Sequence, residues 1–237
     1  MLSEKPWGVS CLVIWLLAAC ATVARADDAA DVATAMKACE AKDAESCYGI
    51  ANAYDQALGG LPQDTAKHRE YLGRSCEYGY MEACHDAGEI YKNVAGRDQE
   101  LALKFLEKAC EGGKRPDDCF DAGDIWVKKD FNAPDDMGEV QRLERTVVLY
   151  ESACSGSKRS FRCDNLPPWY ASLGRSYANG TDGASKDGKR ALPWLSKACA
   201  GGETQACEEH KSVISSLGGR KQRPADSGDP SREQRSR

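Results

Sequence analysis

Ten of the twelve cysteines in this 237-residue chain fall into five local pairs: Cys39/Cys47, Cys76/Cys84, Cys110/Cys119, Cys154/Cys163 and Cys199/Cys207. Within a pair the offset is eight or nine residues, and successive first cysteines are separated by 37, 34, 44 and 45 residues. A near-constant step of that size marks a stacked repeat. So many thiols in one chain oxidise heterogeneously unless they are paired or bound to metal, and pairing is the rule in exported proteins. Structural zinc sites use tighter C-x₂₋₄-C spacing, and only His68, His85 and His210 are available as further ligands. The reading is therefore one disulfide per repeat and no metal.

The segments around the pairs align. An aspartate stands twelve residues before the first cysteine in four of the five units, at Asp27, Asp64, Asp98 and Asp187. Aspartate there suits a helix N-cap, because its carboxylate accepts backbone N–H bonds. The next twelve residues have a helical apolar period, as in 98–110, where Leu101, Leu106 and Ala109 share a face. Glycine follows the first cysteine closely (Gly79, Gly112, Gly156, Gly201) and stops the helix. The second cysteine opens the next helix. Four residues on comes a small residue (Ala51, Gly88, Gly123), and three further an aromatic one (Tyr54, Tyr91, Trp126). Glycine inside a helix costs about 1 kcal/mol against alanine, so its recurrence in one slot implies that a neighbouring helix crosses close to the backbone.

Each unit therefore reads as helix, tight turn, helix, with the local cysteine pair bridging the turn. The expected array is about four complete helix pairs, a leading helix from Asp27 and a short polar cap after Cys207. Unit four departs from the pattern. Cys163 comes seven residues early against Gly174 and Tyr177, and Asp164–Pro168 reads as an insertion in which Pro167-Pro168 blocks a helix. Pro193 falls mid-helix and is expected to kink the helix or delay its start. The loop Lys128–Gly138 is long, and Gly218–Arg237, rich in Arg, Ser, Pro and Gly, reads as a disordered tail after a repeat domain of 27–217.

The N-terminus points to export. Val9–Ala19 is an apolar run too short to span a bilayer comfortably. It ends in two competing cleavage signals: Ala24-Arg25-Ala26, for a signal peptide of residues 1–26, and Leu17-Ala18-Ala19-Cys20, which resembles a lipoprotein box with cleavage after 19 and lipidation of Cys20. Either leaves ten cysteines for the five pairs, since Cys20 is removed by the first cleavage and lipidated after the second. The expected location is periplasmic or secreted, with an outer-membrane lipoprotein as the variant. A formal net charge of −5 gives no case for nucleic acid.

The units Asp98–Gly113 and Glu82–Tyr91 resemble Sel-one-like repeats, relatives of the tetratricopeptide repeat, and the added cysteine pair is similar to the cysteine-rich Hcp family of secreted repeat proteins. The resemblance covers about residues 27–212. It implies a right-handed α/α solenoid, every pair oxidised, and a concave face that binds a protein or peptide. Members are often labelled β-lactamases, so β-lactam binding or hydrolysis is the alternative activity.

Chemistry in the residues themselves is sparse. Serine β-lactamases need Ser-x-x-Lys at a helix start with Ser-Asp-Asn and Lys-Thr-Gly elements. Ser155-Gly156-Ser157-Lys158 stands instead at a helix end, and neither companion element occurs. The three histidines are scattered and read as helix-surface residues. No nucleotide loop and no C-x-x-C motif appears, and no cofactor is expected. Trp126, Trp169, Tyr170 and Trp194 cluster late in the chain. Trp169 and Tyr170, beside the double proline, break the period and are the candidate exposed anchors for a partner. The expectation is a monomeric binding scaffold rather than an enzyme.

Overall fold

The computed structural model describes residues 30–93, 98–112, 115–128, 137–155 and 161–219, and the regular structure among them is helical. Helix α1 covers 30–40. It is followed by α2 (Ala44–Gln56), α3 (Thr65–Glu77), α4 (Met81–Asn93), α5 (Gln99–Glu111), α6 (Pro116–Val127), α7 (Glu139–Ser155), α8 (Phe161–Asp164), α9 (Leu166–Asn179), α10 (Gly188–Ala200) and α11 (Thr204–Gly219). The fold is an all-α solenoid of helix–turn–helix repeats.

Local chemistry sets the helix ends. The carboxylate of Asp64 accepts from the backbone N–H groups of Ala66 and Lys67, that of Asp98 from Leu101, and that of Asp187 from Lys189 and Arg190. Asp43 caps α2 in the same way, accepting from Ser46. These bonds satisfy donors that have no acceptor inside the first turn. Past the ends of α3 and α10, Gly79 and Gly202 take φ of 105° and 100°, a left-handed conformation that L side chains resist.

The chain divides into two compact units, Met1–Asp118 and Cys119–Arg237. In the first, α2 packs on α3, α3 on α4 and α4 on α5. Its core includes Leu72, Cys76, Cys84, Ala87 and Phe105. In the second, α7 packs on α9, α9 on α10 and α10 on α11, around Val147, Leu173, Tyr177 and Leu195. Fully burying a leucine such as Leu72 or Leu195 contributes about 2 kcal/mol.

The small-residue slot does what its recurrence implied. A Cβ built on Gly88 would lie 2.6 Å from Cγ of Leu106, and one on Gly174 would lie 2.7 Å from Cγ of Leu195. At Gly123 the near atom is Cε1 of Tyr150, at 2.5 Å. In each case the following repeat presses a large side chain against bare backbone.

Disulfides join Cys39 to Cys47, Cys76 to Cys84 and Cys199 to Cys207, each with Cα atoms 4.7 Å apart, and Cys154 to Cys163 with Cα atoms 5.7 Å apart. Cys110 and Cys119 are also disulfide-bonded. A loop this short is worth about 2.5 kcal/mol in the chain-entropy model.

Several expectations need correction. Pro167 and Pro168 do not block a helix. They stand in the first turn of α9, where a missing N–H costs nothing because first-turn donors lack intrahelical acceptors. The insertion is itself mostly helical, with the four-residue α8 carrying Cys163. Pro193 does not delay α10, which runs from Gly188 through it to Ala200. The terminal element is no short cap: α11 has 16 residues and completes a pair with α10. It also reaches Gly219, two residues past the boundary drawn from composition. Two histidines are not plain surface residues. His85 Nδ1 lies 2.6 Å from Oδ1 of the buried Asp118, joining α4 to α6, and His68 Nδ1 lies 2.9 Å from the carbonyl of Ala51. The signal segment with Cys20, Asp27, most of the Lys128–Gly138 loop and the tail from 220 lie outside the described residues.

Candidate functional site

The second unit holds a cleft of about 290 Å³ lined from three helices and a loop. Trp126 and Val127 come from the end of α6, Glu139, Arg142, Leu143 and Thr146 from the first half of α7, Trp169 and Ser172 from α9, and Asp182 from the loop after α9. The α6 aromatic slot that follows Gly123 places Trp126 there, 7% exposed. The double proline stands in the first turn of α9 and gives Trp169 a helical position in the same lining.

Trp169, Thr146 and Asp182 are each held by their neighbours. Trp169 meets Tyr150 edge-on, with ring centroids 5.8 Å apart and planes at 87°. The Tyr150 hydroxyl donates to Oδ1 of Asp124 at 2.5 Å, and Asp124 also accepts from Arg162, whose guanidinium lies 4.9 Å from the Phe120 ring centroid. Burial first, and then the Asp124 carboxylate, push the Tyr150 phenol well above its ordinary pKa. Thr146 donates its hydroxyl to the Arg142 carbonyl at 3.0 Å. The Asp182 carboxylate accepts from the hydroxyls of Ser176 and Thr181, and its backbone carbonyl accepts from Val140 N–H, so the loop is held on the start of α7. The Arg142 guanidinium and the Ser172 hydroxyl are left without a hydrogen-bond or ion-pair partner among the described residues. The cleft thus offers two indole surfaces, an uncommitted cation and an uncommitted hydroxyl.

Beside it, α7, α9 and α10 carry two parallel polar rungs, spaced seven residues apart on every helix. In one, Tyr177 donates to Glu144 at 2.7 Å, and Arg190 reaches Glu144 at 3.0 Å while lying 4.3 Å from the Tyr177 ring centroid. In the other, Tyr170 hydrogen-bonds Glu151, and Lys197 reaches Glu151 at 2.5 Å while lying 4.7 Å from the Trp194 centroid and 5.4 Å from that of Tyr170. Burial, then Glu144, push the Tyr177 phenol up to about 12, and burial, then Glu151, push Tyr170 up as well.

The candidate anchors therefore need revising. Trp169 and Tyr170 are partly buried, packed against the core of the second unit. Trp169 keeps a face in the cleft, whereas Tyr170 stacks on Trp194 at 6.2 Å and belongs to a rung. Arg142 and Asp182 were missed, because nothing local in their segments distinguishes them from surface polar residues. The rungs did leave a signal: Glu144/Glu151, Tyr170/Tyr177 and Arg190/Lys197 are each seven apart. Ser155, the first residue of the Ser-x-x-Lys sequence, is the last residue of α7 and donates its hydroxyl to the Ser152 carbonyl at 2.9 Å.

Comparison with known proteins adds the following. The family model described as the Sel1 repeat matches residues 44–80, 82–114 and 170–203. These windows correspond to α2–α3, α4–α5 and α9–α10. Cytochrome c oxidase assembly factor 7A of Xenopus laevis is 33% identical over 81 residues, covering 31% of this chain and 35% of that protein. Cytochrome c oxidase assembly factor 7 of Danio rerio is 31% identical over 92 residues, 36% and 40% of the two chains. The chain thus spans between a third and two fifths of the length of these curated relatives. Among solved structures, a Sel1 repeat protein from Oxalobacter formigenes is 20% identical with a TM-score of 0.39, over 70% of this chain and 61% of the other. A protective antigen of uropathogenic Escherichia coli displaying an SLR fold is 18% identical with a TM-score of 0.40, over 72% and 41%.

Proposed function

Starting from a chain that carries three Sel1 repeats, an architecture suited to protein–protein interaction, we propose that it is an exported binding scaffold that takes a side chain of a protein or peptide partner into the cleft between Trp126 and Trp169. The observation that carries this reading is the presence in one concave site of two indoles and a guanidinium, that of Arg142, which has no partner among the described residues. Aromatic and arginine side chains in a preformed cleft are where binding energy concentrates. A protein partner is also supported by the names of the curated relatives, which are assembly factors.

Export is part of the same reading. The oxidised cysteines support it, since such pairs persist in oxidising compartments. It is tested by fractionating cells of the native source and alkylating without reduction: a cytosolic product with titratable thiols would remove that part of the proposal. Palmitate labelling decides whether Cys20 is lipidated.

A random peptide library panned against the purified oxidised chain tests the cleft. Enriched sequences are expected to combine a large apolar or aromatic residue with an acidic neighbour, and to lose binding to Trp169→Ala and Arg142→Ala chains. Binders that hold both variants as tightly as the wild type sink the assignment. No turnover of a chromogenic cephalosporin is expected from the same preparation; turnover abolished by Ser155→Ala would replace the scaffold reading with an enzymatic one.

A further inference from the structure

The two units carry the same cation pattern with different endings. Counting back from the first cysteine of a pair, α10 places Arg190 nine residues and Lys197 two residues before Cys199, and α3 places Lys67 and Arg74 at the same two distances before Cys76. Both pairs sit on aromatic rings. Lys67 lies 5.5 Å from the Tyr54 centroid and Arg74 lies 5.0 Å from that of Tyr71, and the two tyrosine rings stack at 5.7 Å.

In the second unit both cations are neutralised by the preceding long helix, Arg190 by Glu144 and Lys197 by Glu151. Glu144 and Glu151 stand ten and three residues before Cys154. Before Cys39 the sequence holds alanine and methionine at the corresponding positions, and the one of these that lies in α1, Met36, brings no carboxylate to that register. Nor does another helix replace it: among the described residues Lys67 and Arg74 make no ion pair. Glu70, between them on α3, bonds neither, and the Glu77 carboxylate is reached by Lys104. The first unit therefore keeps the cations and their aromatic seats, and lacks the two glutamates.

We propose that this face of α2 and α3 binds an acidic helix of a partner protein, which sets two carboxylates seven residues apart against Lys67 and Arg74. Seven residues of helix rise about 10.5 Å, the spacing that α3 presents and α7 matches internally. Same-face residues of an extended strand repeat at about 6.6 or 13 Å and fit less well. The aromatic rings hold the cations in place, so a partner carboxylate meets a preorganised charge rather than a free side chain. This surface is separate from the tryptophan cleft, and its test does not depend on that site.

The probe is an alanine-rich helical peptide with neutral solubilising residues and two glutamates seven apart, labelled at one end and titrated with the full oxidised chain by fluorescence anisotropy at low salt. Binding is expected, falling steeply with added salt. Lys67→Gln/Arg74→Gln is expected to weaken it by roughly tenfold or more, as is glutamine at both acidic positions of the peptide. Arg190→Gln/Lys197→Gln, which removes cations already held by carboxylates, is expected to leave it unchanged. Met36→Glu places an internal carboxylate at the Glu151 register and is expected to weaken the probe. Circular dichroism of each variant establishes that it is folded. Absence of binding at millimolar peptide, binding that survives Lys67→Gln/Arg74→Gln, equal loss from the α10 variant, or indifference to Met36→Glu overturns the proposal.

Discussion

Tyr170 holds on α9 the register that Cys84 holds on α4: each stands four residues before the glycine, Gly174 or Gly88, that admits the next helix. In the fourth repeat the cysteine has moved onto α8, and a tyrosine fills the vacated slot and bonds across to Glu151. The staple there joins α7 to a four-residue helix, whereas Cys76–Cys84 is fully buried between α3 and α4. Removing Cys76 and Cys84 together as alanines is expected to cost about 2–5 kcal/mol in urea unfolding. Cys154→Ser/Cys163→Ser is expected to cost clearly less. Equal losses would show that α8 is as integral as a repeat helix.

Gly88 and Gly174 face leucine side chains at distances no real Cβ tolerates, while a Cβ on Gly73 would meet Phe105 at an ordinary 3.5 Å. Gly88→Ala and Gly174→Ala are therefore expected to destabilise by about 1–3 kcal/mol through forced movement of Leu106 or Leu195. Gly73→Ala, inside α3, is expected to be neutral or stabilising by up to about 1 kcal/mol. Thermal melts of the three variants check the sign as well as the size.

The two prolines of α9 and the proline of α10 make an opposite pair of forecasts. Pro193 is exposed and sits inside α10, so Pro193→Ala restores a backbone donor and is expected to raise stability by about 1–3 kcal/mol. Pro168, in the first turn of α9, has no intrahelical acceptor to serve. Pro168→Ala is therefore expected to stay within about 0.5 kcal/mol of wild type. Denaturant midpoints measured side by side decide the comparison.

The tyrosine–carboxylate pairs predict alkaline behaviour. Tyr48 donates to Asp86 at 2.7 Å, and burial, then that bond, push it up to about 12; Tyr177 on Glu144 likewise reaches about 12. An unfolded tyrosine loses its proton near 10. The folded state thus binds the proton more tightly, and its contribution is complete below about pH 10 and is lost as pH climbs through about 12. Stability measured across that window is expected to fall, and to fall less for Tyr177→Phe. A phenolate absorbance titration in which every tyrosine ionises near 10 without unfolding would contradict this.

Legibility followed the range of the interactions. The caps at Asp64, Asp98 and Asp187, the stop at Gly79 and the close approach at Gly88 depend on residues within one helix or its neighbour, and their types announce them. Pro167-Pro168 was misread because the same residue that ends a helix can begin one, and only the position of the first turn distinguishes the two. The cleft was illegible as a site: Trp126, Arg142, Trp169 and Asp182 are brought together by the packing of α6, α7 and α9, and no local pattern connects them. Tyr170 looked like an exposed anchor because it breaks the cysteine register, and the structure shows it as the substitute within that register.

Each of the four traced crosslinks closes within eight or nine residues, inside its own hairpin or onto the short helix beside it. Each pair can therefore close as soon as its own two helices exist, without waiting for a distant sulfur. Choosing among rival partners is largely avoided, because the nearest thiol in time is also the correct one. Oxidation becomes a set of small local events, each settled within one stretch of eight or nine residues.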